Sequence, residues 1–218
     1  MRYRVPPMAI RTLLGVGAAA ATALMFVPAP LGANPSAITL ATSKKVATYG
    51  ALPKLTGVVS GVAPGRRVQL TAKACGTKSF VRFNDPVVVQ GGRFGEIVPT
   101  PVTVTYVARE GSTKSEEVTV KVRPLVRLTK SGSRYTVRIT AGVSYEQVYV
   151  IAERKNGPAW RPVRKVQLEP GASLDKPYPG THLTTATFEM GRSGPTRVVL
   201  DEWASGPCYA AAASNVVL

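Results

Sequence analysis

The sequence predicts an all-β protein built as two tandem antiparallel sandwiches behind a helical export signal. Three observations carry this: apolar residues recur with period two, short turn signals separate the runs, and the apolar phase repeats 80 residues later. No window of the mature chain holds the 3.6-residue apolar period that an amphipathic helix needs.

The N-terminus reads as the export signal. Arg2, Arg4 and Arg11 precede an apolar stretch over 12–27, and small residues follow in PAPLGANPSA. At about 16 residues the stretch is short of the roughly 20 that span a bilayer as a helix. Cleavage is expected near Ala33, which leaves about 185 residues, enough for one large or two small domains. The whole chain carries 28 basic and 12 acidic residues, and loss of the three leader arginines lowers its net charge from +16 to about +13. The expected setting is extracellular or cell-wall associated, without a transmembrane anchor after cleavage. Anionic wall polymers, glycans or other envelope proteins are the expected partners, and no specific nucleic-acid partner is expected.

The strands follow in order. In RRVQLTAKA (66–74), Val68, Leu70, Ala72 and Ala74 share one face and Arg67, Gln69, Thr71 and Lys73 the other. Val102, Val104 and Tyr106 form a second inward row, and Val118, Val120 and Val122 a third. In RYTVRITA (134–141), Tyr135, Val137 and Ile139 point inward while Arg134, Thr136 and Arg138 point outward. Such alternation suits sheets with one buried and one solvated face. Turn residues punctuate the runs at 63–65, 91–92, 110–112, 131–133, 156–158 and 169–171. In QGGRF (90–94), Gly91 and Gly92 tolerate the positive φ of a tight turn.

A gap-free shift of 80 residues lays 57–74 on 137–154, so that Val59 meets Ile139, Val68 meets Val148, Leu70 meets Val150 and Ala72 meets Ala152. The same shift pairs Phe94 with Leu174, Pro99 with Pro179 and Thr105 with Thr185. Two copies of one unit are expected over 38–123 and 124–218, divided at Pro124, which cannot donate to a ladder. In the second copy 182–189 reads as its sixth strand and 214–218 as its last, with 190–213 an insertion between them.

VATYGALPKLTGVVSGVAPGRRVQLTAKACG (46–76), GGRFGEIVPTPVTVTYVA (91–108), VTVKVRP (118–124) and GPCYAAAASNVVL (206–218) together resemble secreted bacterial proteins with tandem immunoglobulin-like or fibronectin-III-like sandwiches. The resemblance implies a non-catalytic role, structural or adhesive, at the cell envelope. A carbohydrate- or polyanion-binding module is the alternative expectation.

The residues offer little catalytic chemistry. His182 is the one histidine, and there is no C-x-x-C, so neither a zinc site nor a bound cofactor is expected. No nucleophile elbow, zinc-protease or phosphate-loop motif occurs, and the chain is read as not an enzyme. Glu116–Glu117 and Asp201–Glu202 are adjacent acids which, on strands, would face opposite ways. The candidate ligand patch is Tyr149, Trp160, Arg161, Arg164 and Lys165 of the second unit. Tyr149 and Ile151 make their strand apolar on its second face too, and cover by the first unit or the insertion is the favoured expectation there.

The chain has two cysteines, Cys75 and Cys208, which lie 133 residues apart. Cys75 shares the outward parity of Lys73 or lies just past its strand, and Cys208 falls in the expected insertion of the other unit. In an exported protein a Cys75–Cys208 bridge between the units is favoured over free thiols or an intermolecular pair.

Overall fold

The computed structural model describes residues 37–191 and 194–218; the expected signal over 1–33 lies outside them. No helix among the described residues is long and apolar enough to cross a membrane.

The first half of the described chain forms nine strands: β1 (Ala41–Thr42), β2 (Val46–Thr48), β3 (Lys54–Val58), β4 (Gln69–Ala74), β5 (Val81–Asn84), β6 (Arg93–Ile97), β7 (Val104–Glu110), β8 (Thr113–Lys114) and β9 (Val118–Arg123). They make a three-stranded sheet, β1-β3-β6, and a larger one, β2-β9-β7-β4-β5, with β8 on β7. The sheets are antiparallel as expected except for the β2–β9 pair, which is parallel. The reason is that the chain changes sheets between β1 and β2, so β2 reaches β9 by a crossover that reverses no direction. Leu55, Val59, Val68, Leu70, Val88, Val98, Tyr106 and Val120 are buried between the two sheets.

The second half contains β10 (Leu125–Ser131), β11 (Arg134–Ala141), β12 (Tyr149–Asn156), β13 (Ala159–Gln167), β14 (Ser173–Leu174), β15 (Thr181–Glu189), β16 (Thr196–Leu200), the short helix α1 (Glu202–Ser205) and β17 (Ala212–Ala213). Its sheets are β10-β11-β15-β14 and β13-β12-β16-β17, and neither takes a strand from the first half. Leu128, Tyr135, Val137, Ile139, Val150, Phe188, Val198 and Leu200 fill the core between them. Each fully buried aliphatic or aromatic side chain of this kind stabilises the fold by about 1.5–3 kcal/mol relative to exposure.

The inward rows read from the sequence on β4, β7, β9 and β11 are the buried ones, though on β7 Val107 is buried as well. β11 spans 134–141 as expected, with Tyr135, Val137 and Ile139 fully buried and Arg134 and Arg138 exposed. β9 ends at Arg123 and β10 begins at Leu125, on either side of Pro124. Thr71 is an exception: although of outward parity it is buried, and its hydroxyl donates to the Val107 carbonyl at 3.2 Å. Gly91 and Gly92 take φ of 75° and 73°, and a Cβ on Gly92 would lie 2.2 Å from the Val59 carbonyl oxygen. Both conformation and space therefore demand glycine at position 92.

The repeat holds for two strands and then slips. β3 and β11 occupy the same place in their halves, as do β4 and β12. Thr105 and Thr185 do not correspond, because β7 pairs with β4 whereas β15 pairs with β11. The strand over 182–189 is thus the counterpart of β6, and the true counterpart of β7 is β16. This corrects the reading of 190–213 as an insertion: that stretch supplies β16, hydrogen-bonded between β12 and β17 and buried at Thr196, Val198 and Leu200. The slip arises because β14 adds a strand to the ladder ahead of β15, which a fixed offset cannot follow.

Candidate functional site

Two regions concentrate polar chemistry: the seam where the halves meet, and the outward face of β12, β13 and β16.

The seam is built from tyrosines placed by loops. Tyr209, just beyond α1, donates its hydroxyl to the Pro101 carbonyl at 2.7 Å and accepts from the Gly142 amide at 3.0 Å. Tyr49, next to β2, bonds Thr181 through its hydroxyl at 2.8 Å. Because the Thr181 hydroxyl donates to the Tyr178 carbonyl at 2.7 Å, Tyr49 is the donor. The Tyr178 hydroxyl accepts from the Thr100 amide at 3.0 Å, and the Tyr178 ring meets Tyr49 edge-on at 5.5 Å. Backbone bonds from Ala210 to Val122 and from Thr103 to Cys208 run alongside. Val102 packs against both cores, while Tyr49 and Val122 of the first half lie in the second core.

The expected disulfide joins this seam: Cys75, one residue past β4, is bonded to Cys208, and their α-carbons are 5.4 Å apart. Burial pushes the phenols of Tyr106 and Tyr209 up to about 12 and raises Tyr145 further. Tyr49 is raised as well, chiefly by burial, against the opposing effect of its Thr181 bond.

The residues of the expected ligand patch divide between the two faces of β13. Tyr149, Trp160 and Lys165 share the outward face: Lys165 pairs with Ile151 and Trp160 with Lys155 in the register of β12 and β13. Arg164 and Arg161 pair with Ala152 and Arg154 on the other side, and the Arg164 guanidinium donates to the Glu189 carbonyl at 2.6 Å. Tyr149 is 43% exposed and Ile151 half-buried, so the full cover expected for them is not present. The Lys165 ammonium lies 4.2 Å from the Tyr149 ring centre, and the Arg197 guanidinium lies 4.4 Å from that of Trp160. Arg197 also bonds Glu153 at 2.7 Å. Each aromatic already stacks against a cation of the same sheet, which leaves less free ring surface for a sugar.

The sequence pattern does not single out Arg197. Its signal is the TRVVL alternation, which an insertion over 190–213 leaves without a strand neighbour.

The remaining candidates take structural places. His182 is half-buried and pairs with Ala141 and Ser173. No group of three or more His, Cys, Asp or Glu able to hold a metal ion occurs among the described residues. Asp201 and Glu202 lie on no strand: Asp201 caps α1, accepting from the Ala204 amide at 2.7 Å. Tyr145 is in the core, Tyr178 is in the seam, and Trp203 on α1 is 92% exposed.

No protein-family model matches the chain, and no curated protein matches it. Among solved structures it is similar to purple acid phosphatase PPD1 from yellow lupin (Lupinus luteus) seeds, at 11% identity and a TM-score of 0.38. The match covers 82% of this chain and 40% of that one. A likeness this distant carries no conclusion about activity.

Proposed function

We propose that this is an exported, non-catalytic protein of two immunoglobulin-like sandwiches, 38–123 and 124–218, with a structural or adhesive role at a bacterial cell envelope. The observation that carries the reading is the seam. The Cys75–Cys208 bond and the hydrogen bonds of Tyr49, Tyr178 and Tyr209 tie the halves together across several loops. Two sandwiches held at a fixed spacing present their outer faces as one preformed surface, so less freedom is lost when a partner is gripped at two places. The leader-like N-terminus and the disulfide support export, since such bonds persist in oxidising compartments.

The test is co-sedimentation of the purified mature protein with the cell-wall fraction of the producing cells. Retention that falls as salt is raised is the expected result. Protein that stays in the supernatant at low ionic strength overturns the envelope role. Turnover of a glycan or ester panel, abolished by replacing one carboxylate, overturns the non-catalytic reading.

A further inference from the structure

The outward face of β10, β11 and β15 carries an arrangement of charge that the fold itself does not explain. In the register of these strands Arg127 stands directly opposite Arg138, whose neighbour on β15 is Thr185. Directly opposed residues on adjacent strands have α-carbons about 4.5–5.5 Å apart, and like charges so placed are destabilising. Both arginines are exposed, and the described ion pairs, Arg66–Glu110, Arg82–Asp85 and Arg197–Glu153, include neither.

The row next to the pair is made of hydroxyls. Thr129, Thr136 and Thr187 form the next row across the three strands, with the Thr136 and Thr187 hydroxyls 3.5 Å apart. Arg134 lies on the same face of β11, four residues from Arg138, which the strand rise places about 13 Å away. Two carboxylates flank the face: Glu189 is opposite Arg134, and Glu169 is bridged to Thr185 on the side away from Arg138.

We propose that this face binds a linear anionic polysaccharide, with the Arg127–Arg138 pair forking one acidic group and Arg134 meeting another further along the polymer. Guanidinium forks match planar or tetrahedral oxyanions, and the threonine hydroxyls suit sugar hydroxyls. An anion between the two arginines also removes their mutual repulsion. Single-stranded nucleic acid is disfavoured because the face has no aromatic platform on which bases could stack. A partner strand is disfavoured at the β10 edge because the Asn215 side chain already bonds both the amide and the carbonyl of Leu128. The proposal supplies a partner for the adhesive role above and rests on that reading only for its cellular setting.

The experiment measures binding of the purified protein to immobilised polygalacturonate, with neutral dextran and a thymidine oligodeoxynucleotide as comparisons. The Arg127→Gln, Arg138→Gln double variant is expected to bind polygalacturonate about five- to tenfold more weakly than the wild type. A Lys155→Gln, Lys165→Gln variant, which removes equal charge from the other sheet, is expected to stay within about twofold. Equal weakening by both variants, or no loss in the first, overturns the site. So does equal binding of dextran, or tighter binding of the oligonucleotide that is lost in the first variant. If the glutamine variant does not fold, the Arg127→Lys, Arg138→Lys variant keeps the charge and removes the forks; affinity equal to the wild type would then overturn the proposal. Polymer binding without wall retention sinks the envelope role and leaves this site standing; the converse sinks only the site.

Discussion

Two buried tyrosines show how the same hydroxyl acts in opposite directions. Tyr209 satisfies the Pro101 carbonyl and the Gly142 amide, and a Cβ at Gly142 would lie 2.8 Å from its oxygen. Tyr209→Phe is therefore expected to cost about 1–3 kcal/mol, read as a lower urea midpoint, because it strands both partners. Tyr135 is fully buried, and its hydroxyl has no hydrogen-bond partner among the described residues. Tyr135→Phe removes that unpaid desolvation and is expected to leave the midpoint unchanged or to raise it. The raised phenols add a pH dependence. In the folded state Tyr106 and Tyr209 hold their protons to about 12, whereas an unfolded phenol releases its proton near 10. Between those values the folded state binds more protons, so their stability is complete below pH 10 and is lost as pH rises toward 12. The share of tyrosinate absorbance that Tyr209→Phe removes should accordingly appear together with unfolding; its appearance near pH 10 while the protein is still folded would refute this.

Among the elements, β16 decides how the second half is understood. Its inward residues Thr196, Val198 and Leu200 are buried, and it lies between β12 and β17. Leu200→Ala is expected to destabilise by about 2–5 kcal/mol, measured by thermal unfolding, as for any fully buried leucine. An appended loop would tolerate the change with little loss. The short run TRVVL carries the right alternation, yet five residues cannot declare which neighbours they will have. Conversely β11 was readable to the residue, since eight alternating positions and turn residues on its N-terminal side leave one register open.

The two halves form one continuous body through the seam. In the chain-entropy picture a bond closing a loop of 133 residues stabilises by about 5 kcal/mol before any strain. The Cys75→Ser, Cys208→Ser variant is expected to unfold at lower denaturant but still in one transition, because Tyr49, Val102 and Val122 pack into the second core without the bond. Two separated transitions in calorimetry would show that the disulfide alone couples the halves.

Alternation and turn residues determined the all-β class, the inward rows and the break between strands at Pro124, and the presence of two cysteines made their pairing the favoured expectation. These depend on a period of two and on local backbone preference, which a reader of the chain can count. The slip of the repeat after β12, the tyrosine seam, the stacking of Arg197 on Trp160 and the opposition of Arg127 to Arg138 came from the folded arrangement. Each joins residues that are remote in sequence or set by strand register. A side chain's face is written in its own strand, whereas its neighbour across the sheet depends on every turn between them.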